Sequence, residues 1–88
     1  MATSILVVED DSNISELIQM YLLKEGFEVR IAGDGGKAIR EFEAQVPDLI
    51  LLDIDMPEMN GIEASQRIQA MTGGRVPIIF VTALGDRE

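Results

Sequence analysis

The sequence predicts a doubly wound parallel α/β sheet, and three observations carry that reading. Residues 5–8 (ILVV), 49–52 (LILL) and 78–81 (IIFV) are unbroken apolar runs, as expected of strands buried on both faces of a parallel sheet. Segments with apolar residues at helical spacing separate these runs. Neither an internal repeat nor a low-complexity linker interrupts the alternation, so the order is βαβαβαβ with right-handed crossovers.

Each element follows from its residues. After the first strand, Ile14, Leu17, Ile18, Tyr21 and Leu22 form one apolar stripe of a helix that Ser12 or Asn13 can cap and Gly26 stops. Phe27, Val29 and Ile31 alternate with Glu28 and Arg30, the pattern of a half-exposed strand at a sheet edge. Ala38, Ile39 and Phe42 mark a second, shorter helix that Pro47 terminates. Beyond the third strand, Asn60 supplies an N-cap with Glu63 three residues on, and Ala64, Ile68 and Met71 give the third helix its inner stripe. Thr72-Gly73-Gly74 breaks that helix, and residues 76–82 read as the fourth strand. With the second strand at an edge and the first and third central, the winding reverses between the first and third strands. Ligands of such sheets bind at the carboxyl ends of those strands.

Composition narrows the chemistry. Eighty-eight residues, 47% of them hydrophobic, make one small domain, residues 1–88, with no room for a second. Sixteen acidic against seven basic residues give a net charge of −9, which repels nucleic acid and anionic membranes and favours cations or basic partners. Cysteine and histidine are both absent, which removes disulfides, thiolate nucleophiles, soft metal sites and imidazole bases. The N-terminus has no basic n-region, and no apolar stretch reaches the ~18 residues of a membrane span. A cytoplasmic location is expected.

Two apolar runs end in carboxylates: residues 5–8 in Glu9-Asp10-Asp11, and residues 49–52 in Asp53. An unpaired buried carboxylate costs several kcal/mol or shifts its pKa until it is neutral, so these ends are expected to share one acidic pocket. Glu9, Asp10 and Asp53 repel one another unless a cation neutralises them or one takes a proton. Oxygen ligands in a small open site suit Mg²⁺ better than Ca²⁺. Asp53, ending the most central strand, is the expected nucleophile toward phosphorus, since an ionised Asp needs no base. Thr82 is placed to hydrogen-bond a phosphoryl oxygen.

These residues resemble the receiver domains of two-component response regulators, most closely those attached to winged-helix DNA-binding domains. The likeness rests on residues 5–11 (ILVVEDD), on residues 47–57 (PDLILLDIDMP) with Asn60-Gly61, and on residues 77–83 (PIIFVTA). It implies a flavodoxin-like sheet of order 2-1-3-4. It further implies phosphotransfer from a histidine kinase or phosphotransfer protein onto Asp53. Mg²⁺ would be held by Asp10, Asp53 and the backbone carbonyl of Asp55, with Glu9 assisting directly or through water. Thr82 matches the family's switch hydroxyl. The family's fifth-strand lysine, switch aromatic and last two helices have no counterpart here, and neither Lys24 nor Lys37 fits the lysine's role. The expectation is therefore a C-terminally truncated receiver that is no multiple-turnover enzyme, whose apolar fourth strand invites pairing with another chain.

Other readings stay open on sequence alone. Asp53-Ile54-Asp55 resembles the Asp-x-Asp motif of haloacid-dehalogenase phosphohydrolases, although Met56-Pro57 replaces the usual Gly-Thr. A receiver-like interaction module that takes no phosphate is another. The stretch from Gly33 to Lys37 looks like a phosphate-binding loop but lacks the Walker spacing, so a flexible turn opening a helix is the expectation.

Overall fold

A computed structural model describes residues 2–53 and 61–81, the side chains of 61–65, 72 and 81 excepted. Four parallel strands, β1 (Ser4–Val8), β2 (Glu28–Ala32), β3 (Leu49–Asp53) and β4 (Ile78–Val81), lie in the order β2-β1-β3-β4. The connecting helices are α1 (Ser12–Lys24), α2 (Gly35–Ala44) and α3 (Gly61–Thr72). This is the flavodoxin-like doubly wound topology that the alternation of patterns predicts.

Register explains which residues form the core. Leu6 stands beside Ile50 and Val8 beside Leu52 and Ala32, so these side chains share one face of the sheet. They are buried together with Ala38 and Phe42 of α2, Ile68 of α3, and Val76. Ile5 and Val7 point the opposite way and are buried as well, on the face that α1 covers. Burial on both faces is why β1 reads as a continuous apolar run. β2, at the edge, is exposed at Glu28 and half-buried from Val29 to Ile31.

The first helix departs from expectation at two points. Its N-cap is Asp11, whose carboxylate accepts from the backbone N–H groups of Asn13 at 2.9 Å and Ile14 at 3.3 Å. The chain turns helical one residue earlier than the Ser/Asn reading placed it, and an Asp serves the orphan amides equally well. Ile14, Ile18 and Leu22 are half-buried, but Leu17 and Tyr21 of the expected stripe are 52% and 64% exposed. The helix therefore buries a narrower strip than its period suggests. Gly26 ends it with a φ of +92°, a left-handed turn that a side chain would strain.

The remaining breaks follow the sequence. α2 stops at Ala44, before the buried Pro47, and α3 ends at Thr72 ahead of two left-handed glycines. Ile68 is buried, whereas Met71 is 42% exposed and lies off the inner stripe. The Asn60 cap lies outside the described residues. No helix among the described residues is long and apolar enough to cross a membrane.

Candidate functional site

The site begins with strand register. Val8 is the partner of Leu52, so the next residue of each strand, Glu9 and Asp53, project from neighbouring carboxyl ends. Asp53 closes the β3 ladder opposite Val81, while the Glu9 N–H extends β1's pairing by donating to the Ala32 carbonyl at 3.0 Å. Both side chains are nearly enclosed, Glu9 at 6% and Asp53 at 7% exposure, and Asp10 beside them is open to solvent. Carboxylate oxygens of Glu9, Asp10 and Asp53 all lie within 4.8 Å of one another. Among the described residues this cluster has the donor set and spacing of a metal centre, and hard oxygen ligands select a hard cation.

Burial sets the protonation of Glu9. Desolvation of its carboxylate is the largest effect and, with the charge of Asp53 and hydrogen bonding to Asp53 and Asp10, raises its pKa to about 7. One hydrogen bond opposes this: the Asp11 N–H donates to Glu9 Oε2 at 3.2 Å. At neutral pH without a cation, Glu9 thus shares its proton with a crowded site, which is the second of the two escapes that like charges have.

Three consecutive carboxylates have three different fates. Glu9 is buried in the pocket, Asp10 stands at its open side, and Asp11 turns away to cap α1. Asp48, immediately before β3, is structural. Its carboxylate accepts from the Ser4 N–H at 2.8 Å while its own N–H donates to the Ser4 carbonyl at 2.8 Å. The sequence signal for that role was present only as an Asp immediately before an apolar run. Asp34 fixes the glycine-rich turn by accepting from the Lys37 N–H at 2.8 Å, so a capped helix start occupies what looked like a phosphate loop. Lys24 and Lys37 are exposed in the last turn of α1 and the first turn of α2. The expected roles of Asp55 and Thr82 fall on residues outside those described.

Comparison with known proteins bears on the family and the fold. The family model described as response regulator receiver domain matches residues 5–88. The DNA-binding response regulator MtrA of Mycobacterium tuberculosis is 41% identical over 86 residues, covering 98% of this chain and 37% of that protein. Sensory transduction protein RegX3 of Mycolicibacterium smegmatis is 41% identical over 81 residues, covering 92% of this chain and 35% of that protein. The chain thus spans little more than a third of the length of these curated relatives. Among solved structures, response regulator protein TrrA from Thermotoga maritima, in complex with Mg(2+)-BeF, superposes with a TM-score of 0.85 at 38% identity, covering 92% of this chain and 70% of that one. Chemotaxis protein CheY4 of Vibrio cholerae gives a TM-score of 0.87 at 27% identity, covering 91% of this chain and 68% of that one.

Proposed function

This chain belongs to the response regulator receiver domain family of two-component signalling, and from that membership we propose that it is a phosphoacceptor whose acceptor is Asp53. The observation that carries the reading is the meeting of Glu9, Asp10 and Asp53, from the ends of two adjacent central strands, in one cation-sized cluster. In the transfer, a carboxylate oxygen of Asp53 forms a bond to phosphorus. The phosphorus–nitrogen bond of a phosphohistidine donor breaks, and its electron pair leaves with the imidazole. The donor is a histidine kinase or phosphotransfer protein.

Glu9, Asp10 and Asp53, with the backbone carbonyl of Asp55, are the residues we assign to Mg²⁺. The clustered oxygens fit such an ion, and the raised pKa of Glu9 marks a negative charge that lacks compensation. When bound, the ion neutralises charge on the transferring group and on the carboxylates around it. Glu9 gives up its proton on loading, Asp10 faces solvent where a cation enters, and Asp53 is held by the β3 ladder at a fixed point of the rim. Thr82, next after Val81 of β4, is assigned the hydroxyl that reads the phosphoryl group. The TrrA complex with Mg(2+)-BeF supports this assignment by likeness. The product acyl phosphate hydrolyses slowly, the chain acts in the cytoplasm, and it is a signalling module without an external metabolite to turn over.

The test is incubation with acetyl phosphate and Mg²⁺, followed by intact-mass measurement. One phosphoryl adduct on the wild type, absent after Asp53→Asn or with chelator, is the expected result. An unmodified wild type in the presence of Mg²⁺ sinks the phosphoacceptor reading and leaves an interaction module.

A further inference from the structure

We propose that Asp48 is a positioning residue: by clamping Ser4 at the amino end of the sheet, it selects the β1–β3 register that brings Glu9 beside Asp53 at the carboxyl end. What the gathered acids are for rests on the phosphoacceptor reading; the clamp itself does not.

The two central strands need such a device. Alternation of apolar and polar residues normally specifies register, because a slip of one residue turns every side chain to the opposite face. Residues 5–8 and 49–52 are instead apolar at every position, and Ile5 to Val8 are buried on both faces of the sheet. A slip there exchanges apolar for apolar, so hydrophobic patterning discriminates little between registers. The acids at the far ends do depend on it. A slip of one residue displaces Glu9 by about 3.3 Å along the sheet and turns its side chain to the other face. That undoes a cluster whose oxygens lie within 4.8 Å of one another.

The clamp at the near end closes in one register only. Leu49, the first residue of β3, partners Ile5, so β3 has no strand residue level with Ser4. Ser4 is only 8% exposed, and the Asp48 carboxylate accepts from its N–H at 2.8 Å while the Ser4 carbonyl accepts from the Asp48 N–H at 2.8 Å. Two reciprocal bonds fix both the position of Ser4 along the strand and the direction of its peptide groups. The preceding residue points its groups the other way: the Thr3 carbonyl accepts from the Glu28 N–H of β2 at 2.9 Å. A one-residue slip therefore breaks both bonds and leaves a buried N–H unpaired, and a slip of two carries Ser4 roughly 6.6 Å away. Pro47, buried and restricted in φ, gives the clamp a stiff base. Ser4 and Asp48 each stand five residues before Glu9 and Asp53, so the control acts over roughly 16 Å of extended backbone.

Cross-strand nuclear Overhauser contacts in metal-free protein read the register, and amide shifts on Mg²⁺ titration read the site. Asp48→Asn keeps an oxygen acceptor for the Ser4 N–H and is expected to hold both the Val8–Leu52 pairing and the Mg²⁺ affinity near wild type. Asp48→Ala is expected to lose both: the Val8–Leu52 contacts weaken as a second register appears, and Mg²⁺ binds at least roughly tenfold more weakly. Arg30→Met, which loosens α2 at the sheet edge, is expected to lower stability while leaving register and Mg²⁺ affinity unchanged. Where Asp48→Ala does not fold, Asp48→Glu, whose carboxylate sits one methylene further out, reads the same displacement at reduced size. A single wild-type register in Asp48→Ala overturns the proposal. So does an Arg30→Met variant whose Mg²⁺ binding falls as far as that of Asp48→Ala, because the clamp is then merely stabilising. A wild type in one register that binds no Mg²⁺ sinks the phosphoacceptor reading instead, and the Overhauser contacts of the variants still decide the role of Asp48.

Discussion

Glu9 is the residue whose chemistry couples the site to the stability of the fold. Its folded pKa of about 7 lies above the ordinary 4.5, so the folded state binds more protons than the unfolded state between those values. Stability then falls as pH rises through that window, by roughly 1–3 kcal/mol. A bound cation competes with the proton and removes the fall. Urea midpoints measured at pH 5 and pH 8 are expected to drop in chelator and to stay level in millimolar Mg²⁺, whereas a drop of equal size in both disconnects Glu9 from the proposed metal centre. Which carboxylates gather was partly legible in the sequence, because a charge at the end of an apolar run has few places to go. The division of labour among Glu9, Asp10 and Asp11 was not. Adjacent acids look alike in sequence, and only the register of β1 against β3 and the start of α1 decide which one is buried and which one caps.

At the scale of elements, one side chain fastens a helix to the sheet edge. Arg30 of β2 donates from one guanidinium nitrogen to both the carbonyl and the carboxylate of Glu41, each at 2.9 Å, and from the other to the Gln45 carbonyl at 2.6 Å. The Gln45 carbonyl lies past the last turn, the Glu41 carbonyl also accepts from the Gln45 N–H at 3.1 Å, and the positive charge meets the negative end of the helix dipole. The Glu41 ion pair alone, at the solvent boundary, contributes little. Removing the whole clamp in Arg30→Met is expected to cost about 1–2 kcal/mol in urea unfolding, with Arg30→Lys restoring less than half, because an ammonium cannot span the same acceptors. A full rescue by Lys means that charge, not the fork, holds α2. The seven elements of the described residues were readable from periodicity and breakers, since each run has the right length and the right punctuation. What periodicity overstates is burial: Leu17 and Tyr21 sit on the stripe of α1 yet remain exposed, because burial depends on what the helix lies against.

For the molecule as a whole, stability rests on one compact core around β1 and β3. Ile50 is fully buried at its centre, flanked by Leu6 and Ile78 in the ladders. Ile50→Ala is expected to cost about 2–5 kcal/mol, a large share of the roughly 4–13 kcal/mol available to a domain this size. Thermal unfolding followed by circular dichroism checks it, and a loss below about 1 kcal/mol would place the core elsewhere. The clamp between Ser4 and Asp48 also sets a timetable. It joins residues 44 apart in the chain, and β1 gains its inner neighbour only when β3 arrives. As the chain leaves the ribosome, the first strand therefore waits, apolar on both sides, while more than half of the sequence is made. The mutually repelling acids meet only after that closure, so the cost of gathering them falls on a nearly finished fold and not on its nucleus.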